Sequence, residues 1–205
     1  MAKKVLKGGA MLAPVPAVMV SVGDENEQNV LTVAWCGTLC TIPPKTYISV
    51  RPSRHSYEII KRTGEFVINL VPASLAKTAD YCGIYTGAKV NKFEKCHLTP
   101  IKAEGVCAPA IAECPVSISC RVTDIVPLGS HDMFIADVLG VEAEEALFDE
   151  SGALHMERAS LCAYVHGAYM TLGKEIGKFG FSAKKKNTHR KGNGKEHGKG
   201  KNRPH

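Results

Sequence analysis

The sequence predicts a mainly β protein, an antiparallel barrel that carries helices. Three observations predict it. Six or seven short runs of β-branched and aromatic residues follow one another through hairpin-length turns. Only two stretches have helical periodicity. Strands and helices do not alternate regularly, which disfavours a doubly wound parallel sheet. Closing such strands into a barrel removes exposed sheet edges.

The elements follow in order. Ala17–Val22 is an apolar strand, turned by Gly23 to Glu27 into a second strand at Val30–Trp35. Pro43 and Pro44 close a loop before the third strand, Thr46–Arg51. A helix over 55–63 presents Ile59 and Ile60 on its apolar side and stops at Gly64, a residue suited to the left-handed position after a helix. Glu65–Leu70 is a fourth strand, ended by Pro72. Ser74–Tyr85 reads as a helix with Leu75, Ala76, Ala79 and Cys82 or Gly83 on one side, followed by a loop through Gly87, Lys89, Asn91 and Phe93. Pro115–Val126 alternates cleanly, with Val116, Ile118, Cys120 and Val122 opposite Ser117, Ser119, Arg121 and Thr123. The turn at 127–131 sends Met133–Val141 back, and a short strand is expected at Cys162–Val165. The Gly-rich stretch from Tyr169 to Phe181 is expected to be irregular and to wrap the surface.

The chain has 205 residues and a formal net charge of +6. That charge is concentrated at one end. Residues 184–205 hold nine Lys or Arg and one Glu, leaving 17 basic and 19 acidic residues in 1–183. One domain is therefore expected over 1–183, with a disordered basic tail at 184–205 that buries nothing to offset its ordering entropy. Nucleic acid is an expected partner only through that tail, and no aromatic residue interrupts its lysines to stack on bases. No apolar run reaches a membrane span, and Lys7, Gly8 and Gly9 interrupt the start that would resemble a signal peptide, so a cytoplasmic protein is expected. Eight cysteines contain no C-x-x-C pair and argue for free, packed thiols over zinc, iron–sulfur or disulfide frameworks. No metal site is expected.

The junction between the third strand and the first helix carries the chemistry. Arg51, Ser53, Arg54, His55 and Ser56 follow the strand and open the helix. First-turn N–H groups, the helix dipole and arginine donors suit a phosphate. The same residues also suit a plain Ser53 or Ser56 N-cap with solvated arginines. There is no P-loop and no G-x-G-x-x-G, so a nucleoside triphosphate or Rossmann site is not expected.

Several segments together resemble a known family. They are Thr32 to Thr38, Pro43-Pro44, Tyr47 to Ser56, Thr63 to Leu70, Lys89 to Phe93, Ser130 to Val138, and the closing series Tyr169, Leu172, Gly173, Ile176, Gly177, Phe179, Gly180. In this order they resemble the flavin-reductase-like, flavoredoxin-type proteins. The resemblance implies an FMN-binding split β-barrel, antiparallel and Greek-key-like, and a homodimer with the cofactor near its interface. It implies noncovalent FMN, with Thr32, Val33, Ala34, Trp35, Cys36 and Thr38 along the isoalloxazine and Arg51, Ser53, Arg54, His55 and Ser56 on the phosphate. Asn69 and Leu70 would face the ribityl chain or ring, Lys92 would reach the cofactor, and Tyr169 would cover the ring or the substrate channel. The family often has Ser where Cys40 stands, so Cys40 is open to a redox role or to simple packing.

The activity implied is electron or hydride transfer from NAD(P)H or a protein carrier to a flavin, ferric or protein acceptor. The flavin itself carries that chemistry, so no catalytic acid or base is required. A non-catalytic flavin-binding electron relay and a tail-mediated nucleic-acid-associated protein are the alternatives.

Overall fold

A computed structural model of the chain describes residues 1–183; the basic stretch assigned to a disordered tail lies outside the described residues. Residues 1–172 form one unit, and a second begins at Gly173. In the second, the described part is irregular up to a single 3-10 turn at Phe181–Ala183.

The strands of the first unit are β1 (Val15–Pro16), β2 (Val18–Gly23), β3 (Gln28–Val33), β4 (Cys36–Thr41) and β5 (Pro44–Val50). Helix α1 (His55–Thr63) leads into β6 (Glu65–Leu70), α2 (Ala76–Ile84) and the short α3 (Lys92–Lys95). Next come β7 (Pro100–Ile101), β8 (Ala110–Ile111), and the long pair β9 (Val116–Pro127) and β10 (Asp132–Ala143). The unit closes with β11 (Cys162–Val165) and β12 (Ala168–Thr171). Among the described residues no helix is long and apolar enough to cross a membrane.

Seven strands form one sheet in the order β3-β2-β6-β9-β10-β5-β4, antiparallel throughout. The sheet is wrapped around a single interior. Val20 and Val22 of β2, Leu31 and Val33 of β3, Ile48 and Val50 of β5, Phe66 and Ile68 of β6, Cys120 of β9 and Phe134 of β10 all pack in one cluster. Side chains from both ends of the strand order can meet only if the sheet curls, which is the split-barrel arrangement. Helix α1 adds Tyr57, Ile59 and Ile60 to the same core. It ends as the sequence requires: Gly64 has φ +68° and returns its N–H to the Ile60 carbonyl.

Three elements depart from the sequence reading. β4 occupies residues expected to be loop. It pairs with β5 from Cys36↔Ile48 to Thr41↔Pro44, so the two prolines sit at a hairpin tip. An edge strand with no fully buried face has no hydrophobic alternation to reveal it. The loop around Lys92 contains α3, started by the Asn91 side chain, which accepts from the Glu94 N–H. The expected irregular stretch begins with β12, which pairs with β11 through Tyr164↔Tyr169.

β9 alternates as expected at its far end, but Ser117 and Ser119 are buried on what should be its polar face. The segment that includes Ala103, Ala108 and Ala110 covers that face against Val67. Asn69 joins the layers. Its amide donates to the Met19 carbonyl and the Ser21 hydroxyl, and its carbonyl accepts from the Ile111 N–H and the Ser117 hydroxyl.

Candidate functional site

The site lies where β3 and β5 end side by side. β3 stops at Val33, and Ala34 and Trp35 make an elbow into β4. The Ser49 N–H donates to the Trp35 carbonyl at 2.8 Å, which fixes the elbow against β5. β5 then stops at Val50, and the chain turns over Arg51 to Arg54, with the Arg54 N–H on the Arg51 carbonyl at 2.9 Å. The N-cap of α1 is Arg54, in extended conformation and with no side-chain cap. Neither Ser53 nor Ser56 caps the helix, so that plain alternative for the two serines is set aside.

A cavity of about 530 Å³ opens beside these strand ends. Its apolar walls are Leu31, Val33, Ala34, Trp35, Ile84, Tyr164 and Tyr169; Arg51, Ser53, Arg54, Thr86 and His131 add polar lining. Gly83 of α2 faces Thr32 of β3, and a Cβ at Gly83 would stand 3.3 Å from the Thr32 Cβ. The missing side chain is what lets helix and strand approach there. Tyr164 and Tyr169 meet edge to face, 5.5 Å between centroids. Burial first, and the charge of Asp80 second, push the Tyr169 phenol up to about 12, so it remains protonated. Burial, with Arg51 and Arg54 nearby, lowers His131, so its imidazole is neutral around pH 7 and the arginines supply the positive charge.

The cavity therefore gathers Thr32, Val33, Ala34, Trp35, Arg51, Ser53, Arg54 and Tyr169 from the residues singled out in the sequence. The other seven lie outside its lining. Cys36 is partly buried in β4 against the barrel core, its thiol raised to about 12 by burial. Thr38 is exposed on β4. His55 faces a neighbouring groove, with Nε2 3.2 Å from Glu27. Ser56 is 1 % exposed, and its hydroxyl accepts from the Asn29 amide at 2.7 Å. Asn69 is held in the outer layer described above, because the pleat sends it to the face opposite Ile68. Leu70 packs between two core clusters. Lys92 is 3 % exposed and donates to the Val30 and Cys82 carbonyls, each at 2.7 Å. It ties α2 to β3 behind the cavity wall, and burial lowers it to about 8. Cys40 lies on β4, its thiol turned to the Ile42 carbonyl.

Sequence reasoning missed Gly83, Ile84, Thr86 and Tyr164, and read His131 as a residue that shaped a turn. Gly83 was visible as a glycine inside a helical pattern, a signal of close approach. The others reach the cavity only through packing of α2 and of the β11–β12 hairpin.

A flat apolar ligand with a terminal anion fits this donor set. The volume lies within the range of about 300–1,000 Å³ usual for small-molecule sites, and Arg51 and Arg54 line the same cavity as the apolar residues of β3, the elbow and the two tyrosines.

Residues 11–173 match the model of the flavin reductase like domain. The chain belongs to the flavin reductase-like family. Its chemistry is accordingly flavin-linked redox chemistry. The flavoredoxin of Desulfovibrio vulgaris superposes with a TM-score of 0.83 at 27% identity, over 89% of this chain and 100% of that one. The flavoredoxin of Methanosarcina acetivorans gives 0.79 at 23% identity, over 89% and 100%, a likeness of fold. An uncharacterized protein of Archaeoglobus fulgidus is 33% identical over 67% of this chain and 77% of its own length. An NADPH-flavin oxidoreductase of Streptomyces viridifaciens is 23% identical over 73% and 78%.

Proposed function

We propose that this protein is an FMN-dependent oxidoreductase that passes electrons from NAD(P)H or a reduced protein carrier to a flavin, ferric or protein acceptor. The observation that carries the reading is the joining of an apolar slot to the Arg51/Arg54 corner in one cavity. Membership of the flavin reductase-like family supports it.

The residues divide the work by chemistry. Arg51 and Arg54 hold the terminal phosphate through charge-assisted hydrogen bonds. Leu31, Val33, Trp35 and Tyr169 give the ring system an apolar bed and keep water away from it. The elbow at Ala34 and Trp35, pinned by Ser49, presents main chain to the ring edge. Neutral His131 leaves the corner's charge to the arginines and can donate one hydrogen bond. When bound, the flavin supplies the two-electron chemistry, and no side chain is needed as acid or base.

A homodimer in the cytoplasm completes the proposal. Leu39 and Ile42 on the β4–β5 hairpin and Val141 on β10 leave apolar surface for a second copy. Eight free thiols suit a reducing compartment. Sedimentation of the purified protein tests the first point, and a monomer at working concentration would remove it.

Titration with FMN, followed by quenching of flavin fluorescence, tests the site. Arg51→Ala and Arg54→Ala should each weaken FMN by about tenfold to a hundredfold, the scale of about 1.5–3 kcal/mol for a charged hydrogen bond. Riboflavin, which lacks the phosphate, should bind all three proteins alike. FMN affinity unchanged in both variants would exclude the corner. Anaerobic addition of NADH and NADPH to the loaded protein then separates a reductase from a relay that accepts electrons only from another protein.

A further inference from the structure

The groove that His55 faces is a second cavity, of about 520 Å³, beside the proposed flavin slot. Ser53, Arg54 and Thr86 line both. Its walls come from different elements. Helix α1 presents His55, Glu58 and Arg62 together with the buried Ile59, and the turn after α2 presents Thr86 and Ala88. Gly87 lets that turn lie close to β3, since a side chain there would collide with the Asn29 amide. Asn29 also donates to the Ser56 hydroxyl of α1, so both walls are set against one residue of β3. The charges divide into held and free ones. Arg62 is fixed by Asp24 at 2.6 Å and by one Glu27 oxygen at 3.1 Å, and His55 Nε2 lies 3.2 Å from the other Glu27 oxygen. Arg54 and Glu58 form no ion pair among the described residues.

We infer that this groove binds an adenylate group. A guanidinium held by two carboxylates keeps its plane in one place and can stack on an aromatic ring, so Arg62, with His55 beside it, is the bed for adenine. The unpaired Glu58 carboxylate accepts from the ribose hydroxyls. The unpaired Arg54 takes the phosphate. Because Arg54 borders both cavities, it serves the two phosphates of a pyrophosphate, one on each side. Two ligands carry an adenylate on a pyrophosphate: FAD, whose flavin enters the slot, and the nicotinamide electron donor. The choice of FAD rests on the proposed flavin site; adenylate binding rests on the groove alone.

Calorimetric titration tests the inference, with 5′-AMP, FMN and FAD added to the flavin-free protein and NAD+ added to the FMN-loaded protein. Ala88 is exposed and lines only this groove, so Ala88→Trp fills it without disturbing the core. Arg62→Gln removes the planar cation by a second route. Ala88→Trp should weaken AMP by at least about tenfold, and Arg62→Gln by about threefold, the scale of one exposed stacking contact. A matching loss for FAD, larger than the loss for FMN, identifies the flavin dinucleotide as the source. A matching loss for NAD+ identifies the donor instead. AMP bound by wild type and lost in Ala88→Trp, with FMN bound by neither protein, upholds the groove and counts against the flavin slot. The inference is overturned if Ala88→Trp weakens none of AMP, FAD and NAD+, or if wild type binds none of the three.

Discussion

Arg54 and Ser56 are two residues apart and have opposite duties. Arg54 is exposed at the mouth of the helix, and its side chain lines the cavity. Ser56 points inward, where its hydroxyl accepts from Asn29 and holds α1 to β3. Ser56→Ala leaves the Asn29 amide without this acceptor in a buried place, so it should lower stability by about 1–3 kcal/mol. FMN affinity should remain within about twofold of wild type once the protein is folded. A denaturant melt and a flavin titration of the same sample check both parts; a large loss of affinity without loss of stability would restore Ser56 to the phosphate.

α2 and the loop after β10 make predictions at the scale of elements. Any side chain at Gly83 must displace Thr32 or the helix itself, since 3.3 Å is tighter than ordinary carbon contact. Gly83→Val should therefore weaken FMN by at least about tenfold, through a shift of about 1.4 kcal/mol or more, with a smaller effect on the stability of the flavin-free protein. Wild-type affinity in that variant would show that α2 is not a wall of the flavin slot. In the loop after β10, His155 sits between Asp149 and Glu157 at 2.8 Å from each. Its hydrogen bond with Asp149 is the main cause that raises it above the ordinary 6.5. Asp149 is held well below its ordinary 3.8, first by the Ser151 hydroxyl and then by His155. The raised histidine contributes stability that is complete below 6.5 and is lost as pH rises through its folded value. The lowered carboxylate contributes stability that is present above 3.8 and is lost as pH falls. The difference in urea midpoint between wild type and His155→Ala should therefore be widest between about pH 4 and 6.5 and shrink at pH 8. A difference that grows toward pH 8 would contradict the charged histidine.

The whole molecule depends on the outer layer as well as on the barrel core. Asn69 is 0 % exposed and is bonded to β2, β9 and the chain before β9 at once. Asn69→Leu strands the Ile111 N–H in a buried site and should destabilise the protein by about 2–4 kcal/mol. The lesion should appear as a lower melting temperature of the entire unit, because Asn69 joins layers and does not line the cavity. A variant with wild-type melting and impaired flavin binding would instead place Asn69 at the cofactor.

The sequence by itself determined the strands with one buried face, the helix bounded by Arg54 and Gly64, and the basic turn between β5 and α1, because hydrophobic period and turn chemistry are local. It also carried the family, through motifs in fixed order. Only the tertiary structure decided which side of each element meets the cavity. Ser56 and Asn69 carry the same polar groups whether they bind a ligand or staple the fold. What separates them from Arg54 and Trp35 is the rotation of α1 and the pleat of β6 relative to distant chain. β4 escaped notice for a related reason: an edge strand that buries neither face fully owes its place to hydrogen bonds with β5, and those leave no periodic mark in the residues.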